Sequence, residues 1–121
     1  MTSQLTILLR HGPYGRIQAA EALRHAGGAL GKGWEVALIL LGDGVYTGLP
    51  YQYSPDGTWI DLSETMRALL DESDGRMKLC VDERSLEERG LTGSSLYREC
   101  HVGTMAEIAA LLTESGRVLI F

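Results

Sequence analysis

The sequence predicts an α/β fold in which a five-stranded, mainly parallel sheet is covered by helices on both faces. Short apolar runs alternate with amphipathic stretches about five times, which is the pattern of strands joined by crossover helices. Two of the runs, residues 5–9 and 36–41, are almost wholly apolar, as strands buried on both faces are. The length of 121 residues suits one domain, so we expect residues 1–121 to form a single domain.

Strands and helices follow one another in a regular order. The apolar runs predict five strands, at residues 5–9, 34–41, 77–81, 96–102 and 117–121. The amphipathic stretches predict four helices, at residues 14–30, 64–71, 85–89 and 104–115. Between the second strand and the second helix, residues 47–62 contain Pro50 and Pro55 and predict a short helical turn followed by a long ordered loop.

The predicted helices carry start and stop signals. Ser63 is a candidate cap for the second helix, because a serine side chain can accept hydrogen bonds from free backbone N–H groups. Ser85 and Thr104 are each followed three residues later by a glutamate, which is the capping-box pattern. Gly90 and Gly116 then end the third and fourth helices.

Composition excludes several classes of function. Apolar residues make up 45% of the chain and charged residues 22%, as in ordinary globular proteins. The net charge is −5 and the 11 Lys and Arg residues are scattered, so we expect no direct contact with nucleic acid. No apolar run approaches the roughly 18 residues of a membrane span, so we expect no membrane insertion.

The cysteines indicate a reducing compartment. Two cysteines in a chain without a recognisable signal peptide predict free thiols and a cytoplasmic location. Neither cysteine has the C-x2-C spacing of a zinc site, and adjacent residues such as Cys100 and His101 point to opposite sides of a strand. We therefore expect no metal and no cofactor.

An acidic loop, residues 81–92, follows the third strand at a position where parallel sheets often hold reactive groups. It begins with Asp82 and Glu83, whose charge opposes the formation of a thiolate. The nearest nucleophile is Cys80, inside the predicted strand. Cys80 either packs as a small buried hydrophobe or points into an inter-subunit crevice and carries sulfur.

Other candidate residues lie in the loops after the first two strands. His11 follows strand one and either holds an anion, together with the turn to Tyr14, or helps to form the turn or a subunit contact. Asp43 either forms a turn between its two glycines or acts as a ligand group. Cys100 is a second candidate thiol, provided that the backbone brings His101 or Arg98 beside it.

Aromatic residues cluster between the second strand and the second helix. They either form a subunit contact or pack within the loop, because aromatic side chains with polar tips are enriched at interfaces. The cluster consists of Tyr46, Tyr51, Tyr53 and Trp59.

Four segments together resemble the DsrE/DsrF-like sulfur-relay family, most closely its DsrF/TusC branch. They are His11-Gly12-Pro13-Tyr14-Gly15, Gly42-Asp43-Gly44-Val45-Tyr46, residues 81–92 and the final residues 118–121. The resemblance implies a five-stranded α/β sandwich that forms trimers or hexamers, by itself or with DsrE-like and DsrH-like subunits. It also implies a role in passing sulfur as a persulfide during sulfur oxidation or tRNA thiolation.

The resemblance further implies that the carrier thiol is missing. In the active subunits a cysteine precedes the glycine of the Arg-Gly pair by about eight residues, and the matching position here is Asp82. We therefore predict a non-catalytic subunit of a sulfur-relay assembly, and lean against an enzyme. Two alternatives remain open: a sulfurtransferase that uses Cys80 or Cys100, and an oligomer that binds a small anion or other ligand.

Overall fold

The computed structural model describes residues 3–52 and 61–121. Within them five strands form one sheet in the order β4-β3-β2-β1-β5, and every neighbouring pair is parallel. The strands are β1 (Gln4–Leu9), β2 (Glu35–Leu40), β3 (Met77–Asp82), β4 (Cys100–Gly103) and β5 (Val118–Ile120). The helices are α1 (Gln18–Gly31), α2 (Leu62–Ser73), α3 (Glu83–Glu88) and α4 (Met105–Glu114). The predicted fold class is confirmed.

The strand order decides which face each helix covers. The chain steps from β1 to β4 in one direction, so right-handed crossovers place α1, α2 and α3 on one face. Because β5 lies beside β1, at the far edge from β4, the last crossover returns along the opposite face and carries α4 with it.

The two faces are covered unequally. The face under α1 and α2 holds most of the buried apolar side chains, including Ile7, Leu38 and Leu79. The face under α4 holds a small second core, which consists of Leu8, Ile39, Cys80 and Ile108.

Helix α4 leaves much of its apolar surface in solvent. It is rich in Ala, Leu and Met, yet Ile108 is its one buried residue. Met105 is 56% exposed, and Ile120 on β5, the strand that follows α4 in the chain, is 59% exposed. The sequence predicted the helix but not its exposure.

Two helices begin at caps other than the predicted ones. Asp61, not Ser63, caps α2, and its Oδ1 accepts hydrogen bonds from the backbone N–H groups of Ser63 and Glu64 at 3.0 and 3.2 Å. Helix α3 is capped by Asp82 rather than by Ser85. In both places an aspartate, which is among the strongest N-cap residues, precedes the serine by two or three positions. The predicted cap of α4 at Thr104 is confirmed, since its Oγ1 accepts from the Glu107 N–H.

Other differences concern the ends of elements. Helix α1 begins at Gln18 rather than at Tyr14, because Gly15 adopts a φ of +87°, which a right-handed helix does not allow. Strand β4 begins at Cys100 rather than at Leu96, which packs into the larger core ahead of the strand. A 3₁₀ helix, Gly42–Gly48, follows β2. Most of the predicted long loop, with Tyr53 and Trp59, lies outside the described residues.

Candidate functional site at the carboxyl edge of the sheet

Asp82 ends β3 and has a structural role at the edge where reactive groups were expected. The residue is 4% exposed. Its Oδ2 accepts hydrogen bonds from the Ser85 backbone N–H at 3.0 Å and from the Ser85 hydroxyl at 2.6 Å. The carboxylate thus satisfies two donors at the start of α3, where a negative group is electrostatically favoured.

Ser85 and Arg89 connect the loops after β2 and β3. Ser85 Oγ accepts a hydrogen bond from the Gly42 N–H at 2.9 Å. The Nε and Nη2 atoms of Arg89 donate to Asp43 Oδ1 at 3.0 and 2.9 Å, and Arg89 Nη1 donates to the Ser85 carbonyl at 3.1 Å. Asp43 is therefore an ion-pair partner of Arg89, a role that the sequence did not predict because 46 positions separate the two residues.

The loop after β2 also lies against the end of β1. A Cβ atom placed on Gly44 would stand 2.2 Å from the carbonyl oxygen of Leu9, and the Gly44 N–H donates to the Leu41 carbonyl at 3.0 Å. Gly44 is required by this close approach of two backbones. The loops that follow β1, β2 and β3 consequently form one interlocked layer.

Four of the predicted site residues line one cavity in this layer. The cavity has a volume of about 370 Å³ and lies between the loops after β1 and β2. Its lining comprises His11, Gly12, Tyr14, Gly15, Arg16, Asp43 and Tyr46. Asp82 does not belong to it, but borders a separate depression beside Thr104 and Met105.

Cys80 faces α4 and not the cavity of His11. Its side chain packs in the smaller core and is 6% exposed. Burial raises the pKa of the Cys80 thiol, and the negative charges of Glu107 and Asp82 raise it further. A thiol in this environment is a weak nucleophile at neutral pH.

A second cavity borders Cys80 beside α4. It has a volume of about 360 Å³, and Lys78, His101 and Glu107 lie in its wall. His101 Nε2 contacts Glu107 Oε2 at 2.6 Å. The imidazole thus contacts the carboxylate, and the carboxylate opposes ionisation of the thiol.

Cys100 lies on the opposite face of the sheet and packs against the larger core. Burial, followed by the negative charge of Glu99, raises the pKa of its thiol to about 12. Both cysteines are free thiols, and because they lie on opposite faces they cannot form a disulfide without backbone movement. His101 points away from Cys100, as the strand geometry predicted.

Removing Cys100 is expected to change the pH dependence of stability. The unfolded thiol ionises near its ordinary value of 9.0, whereas the native thiol stays protonated to about pH 12. The thiol's contribution is therefore complete below the unfolded value and is lost as the pH rises, by about 1.4 kcal/mol per pH unit. Urea unfolding should show the wild type losing about 1 kcal/mol relative to Cys100→Ala between about pH 8 and pH 10. Parallel pH profiles of the two proteins would show that the Cys100 thiol is not buried. Cys80 does not affect this comparison, because both proteins contain it.

Two classes of site are not found in the described residues. No group of three or more His, Cys, Asp or Glu side chains in residues 3–52 and 61–121 is arranged to hold a metal ion. Within the same part of the chain, no helix has the length and apolar character needed to cross a membrane.

The sheet order, its unequal covering and the interlocked loops define a parallel α/β protein whose candidate site lies at the carboxyl edge. The chain belongs to the DsrE/DsrF-like family, whose model matches residues 3–121.

Relatives extend over nearly the whole chain. An uncharacterized protein of Methanocaldococcus jannaschii is 31% identical over 118 residues, which cover 98% of this chain and 99% of the relative. A TusC homologue of Vibrio parahaemolyticus is 29% identical over 119 residues, with the same coverage of 98% and 99%. The predicted resemblance to the DsrF/TusC branch is confirmed by this similarity.

A solved structure shares the fold. The crystal structure of the ychN protein from E. coli superposes with a TM-score of 0.83 and covers 100% of both chains, at 22% sequence identity. This likeness confirms the α/β architecture.

Proposed function

We propose that the chain is a non-catalytic, cytoplasmic subunit of a sulfur-relay assembly. The proposal rests mainly on the identity and the contacts of Asp82. At the position where the family resemblance places a carrier thiol, the chain has a buried carboxylate that caps α3 and hydrogen-bonds to Ser85. A carboxylate cannot form a persulfide.

The two thiols that the chain does have support the same conclusion. Cys80 and Cys100 lie on opposite faces of the sheet, and both have a raised pKa because they are buried. Sulfur transfer requires an accessible thiolate. Neither side chain meets both conditions.

Exposed apolar side chains support a role in assembly. Met105 on α4 is 56% exposed, and Val118 and Ile120 on β5 are 37% and 59% exposed. We propose that the chain self-associates as a trimer or hexamer, or joins DsrE-like and DsrH-like subunits. In such an assembly it would shape the thiol site of a partner.

The test combines sulfur loading with a measurement of mass. Incubation of the purified chain with a persulfide donor should leave its intact mass unchanged, because burial raises the pKa of both thiols and leaves little thiolate at neutral pH. Asp82→Cys is a further arm of the test, because it places a thiol beside the Ser85 N–H at the start of α3, where the family resemblance has the carrier cysteine; a gain of sulfur in this variant alone would support the proposal. A gain of one sulfur atom in the wild type that is lost in Cys80→Ser would contradict the proposal.

The assembly is tested by light scattering. The measured molar mass should be well above the monomer mass of 13.2 kDa, either for the chain alone or once DsrE-like and DsrH-like proteins from its own cell are added. A stable monomer under both conditions at micromolar concentration would rule out the assembly role.

A second candidate function, a sulfurtransferase acting through Cys80, is favoured by the cavity of about 360 Å³ that borders this residue. The same sulfur-loading experiment separates the two, because a carrier would gain sulfur on Cys80.

A further inference from the structure

We propose that the cavity between the loops after β1 and β2 binds a small free oxyanion. The inference goes beyond the relay role and does not depend on it. It rests on the charge of the cavity, on the polar side chains that line it and on its size.

The first observation is a local excess of positive charge. The chain carries a net charge of −5, yet Arg10 and Arg16 lie in one short loop and form no ion pair within residues 3–52 and 61–121. The other arginines contact carboxylates, backbone carbonyls or, in the case of Arg117, the Trp34 ring. The loop after β1 thus carries two cationic side chains that no described carboxylate balances, and Arg16 of the two lines the cavity.

The second observation concerns the donors in the cavity wall. His11, Arg16 and Tyr46 line the cavity, and none of them makes a side-chain hydrogen bond to another described residue. Together they offer a guanidinium, an imidazole and a phenol hydroxyl, all of which donate hydrogen bonds to oxyanions.

Two further wall residues are already engaged. The Tyr14 hydroxyl donates to the Gln52 carbonyl at 3.0 Å and accepts from the Leu62 N–H at 3.2 Å, so it forms a fixed wall. The carboxylate of Asp43 would repel an anion, but its Oδ1 is bound by Arg89 at 2.9 Å. Because Arg89 balances the charge of Asp43, the guanidinium of Arg16 gives the cavity a net positive charge.

The third observation is size. A volume of about 370 Å³ accommodates a phosphate-sized anion together with several of its water molecules. Gly12 and Gly15 border the cavity without side chains to fill it. The site therefore suits a small, partly hydrated oxyanion.

Inorganic phosphate is the probe for the test. Phosphate is to be titrated into the ¹⁵N-labelled protein at constant ionic strength while the backbone amide signals are followed, with chloride as the reference salt. Saturable shifts are expected at residues 11–16 and 42–46, with a dissociation constant on the order of 1 mM. Arg16→Gln should weaken binding by about fivefold or more, because a charge-assisted hydrogen bond is lost.

The matched control is Arg24→Gln, which removes the same charge from an exposed position on α1. It should leave the affinity unchanged. The proposal is overturned if the shifts do not saturate, if they centre on other residues, or if Arg16→Gln binds phosphate as tightly as the wild type. Amide spectra of both variants show that each is folded.

Discussion

Replacement of Gly44 by alanine is expected to cost about 3 kcal/mol of stability or more, and to leave little folded protein at elevated temperature. The added Cβ would stand 2.2 Å from the Leu9 carbonyl oxygen and 2.9 Å from its carbon. Both are backbone atoms of a central strand, so they cannot move aside without breaking β1 pairing. Urea unfolding followed by circular dichroism gives the change.

Gly28→Ala is the matched control for this substitution. Gly28 lies in α1, is exposed, and has no atom within 4 Å of its hypothetical Cβ. Alanine should raise stability there by about 0.5–1 kcal/mol, because it restricts the unfolded chain and favours the helix. A Gly44→Ala protein as stable as the wild type would mean that the loop after β2 does not lie against β1.

The second large effect is expected at Gly103, the last residue of β4. A Cβ atom there would stand 2.8 Å from the Cys80 sulfur and 3.0 Å from Glu107 Oε2. Gly103→Ala should therefore destabilise the protein by about 2 kcal/mol through overpacking. Equilibrium unfolding in urea measures it.

A double variant tests whether the clash with the Cys80 sulfur causes the loss of stability. Cys80→Ala removes the sulfur, so the combination with Gly103→Ala should cost at least about 1 kcal/mol less than the sum of the single changes. Additive costs would show that the Cys80 side chain does not lie beneath α4, and would reopen the possibility that it reaches the carboxyl edge.

Much of the fold was predictable because it depends on local pattern. The apolar runs located the strands. Because strands and helices alternate and crossovers are right-handed, the sequence also predicted a sheet with helices on both faces. Boundaries were less predictable. Asp61 and Asp82 took the capping positions assigned to Ser63 and Ser85, and the aspartates themselves were the signal that could have shown it.

The site was only partly predictable. Sequence position placed His11 and Asp43 after neighbouring strands, and parallel pairing of β1 with β2 brings those strand ends together. The contact between Asp43 and Arg89 depends on the angle at which α3 leaves the sheet, and no local pattern encodes that angle. Arg16 was missed because it lies within a stretch assigned to α1.

The position of β5 has a consequence for synthesis of the chain. Backbone bonds from Thr6 to Arg117, from Phe121 to Leu8 and from Arg10 to Phe121 join the first strand to the last. Until residues 117–121 have been added and have paired, one side of β1 has no neighbour, and its exposed amides could pair with another nascent polypeptide. The sheet therefore cannot be completed before β5 is available to pair with β1.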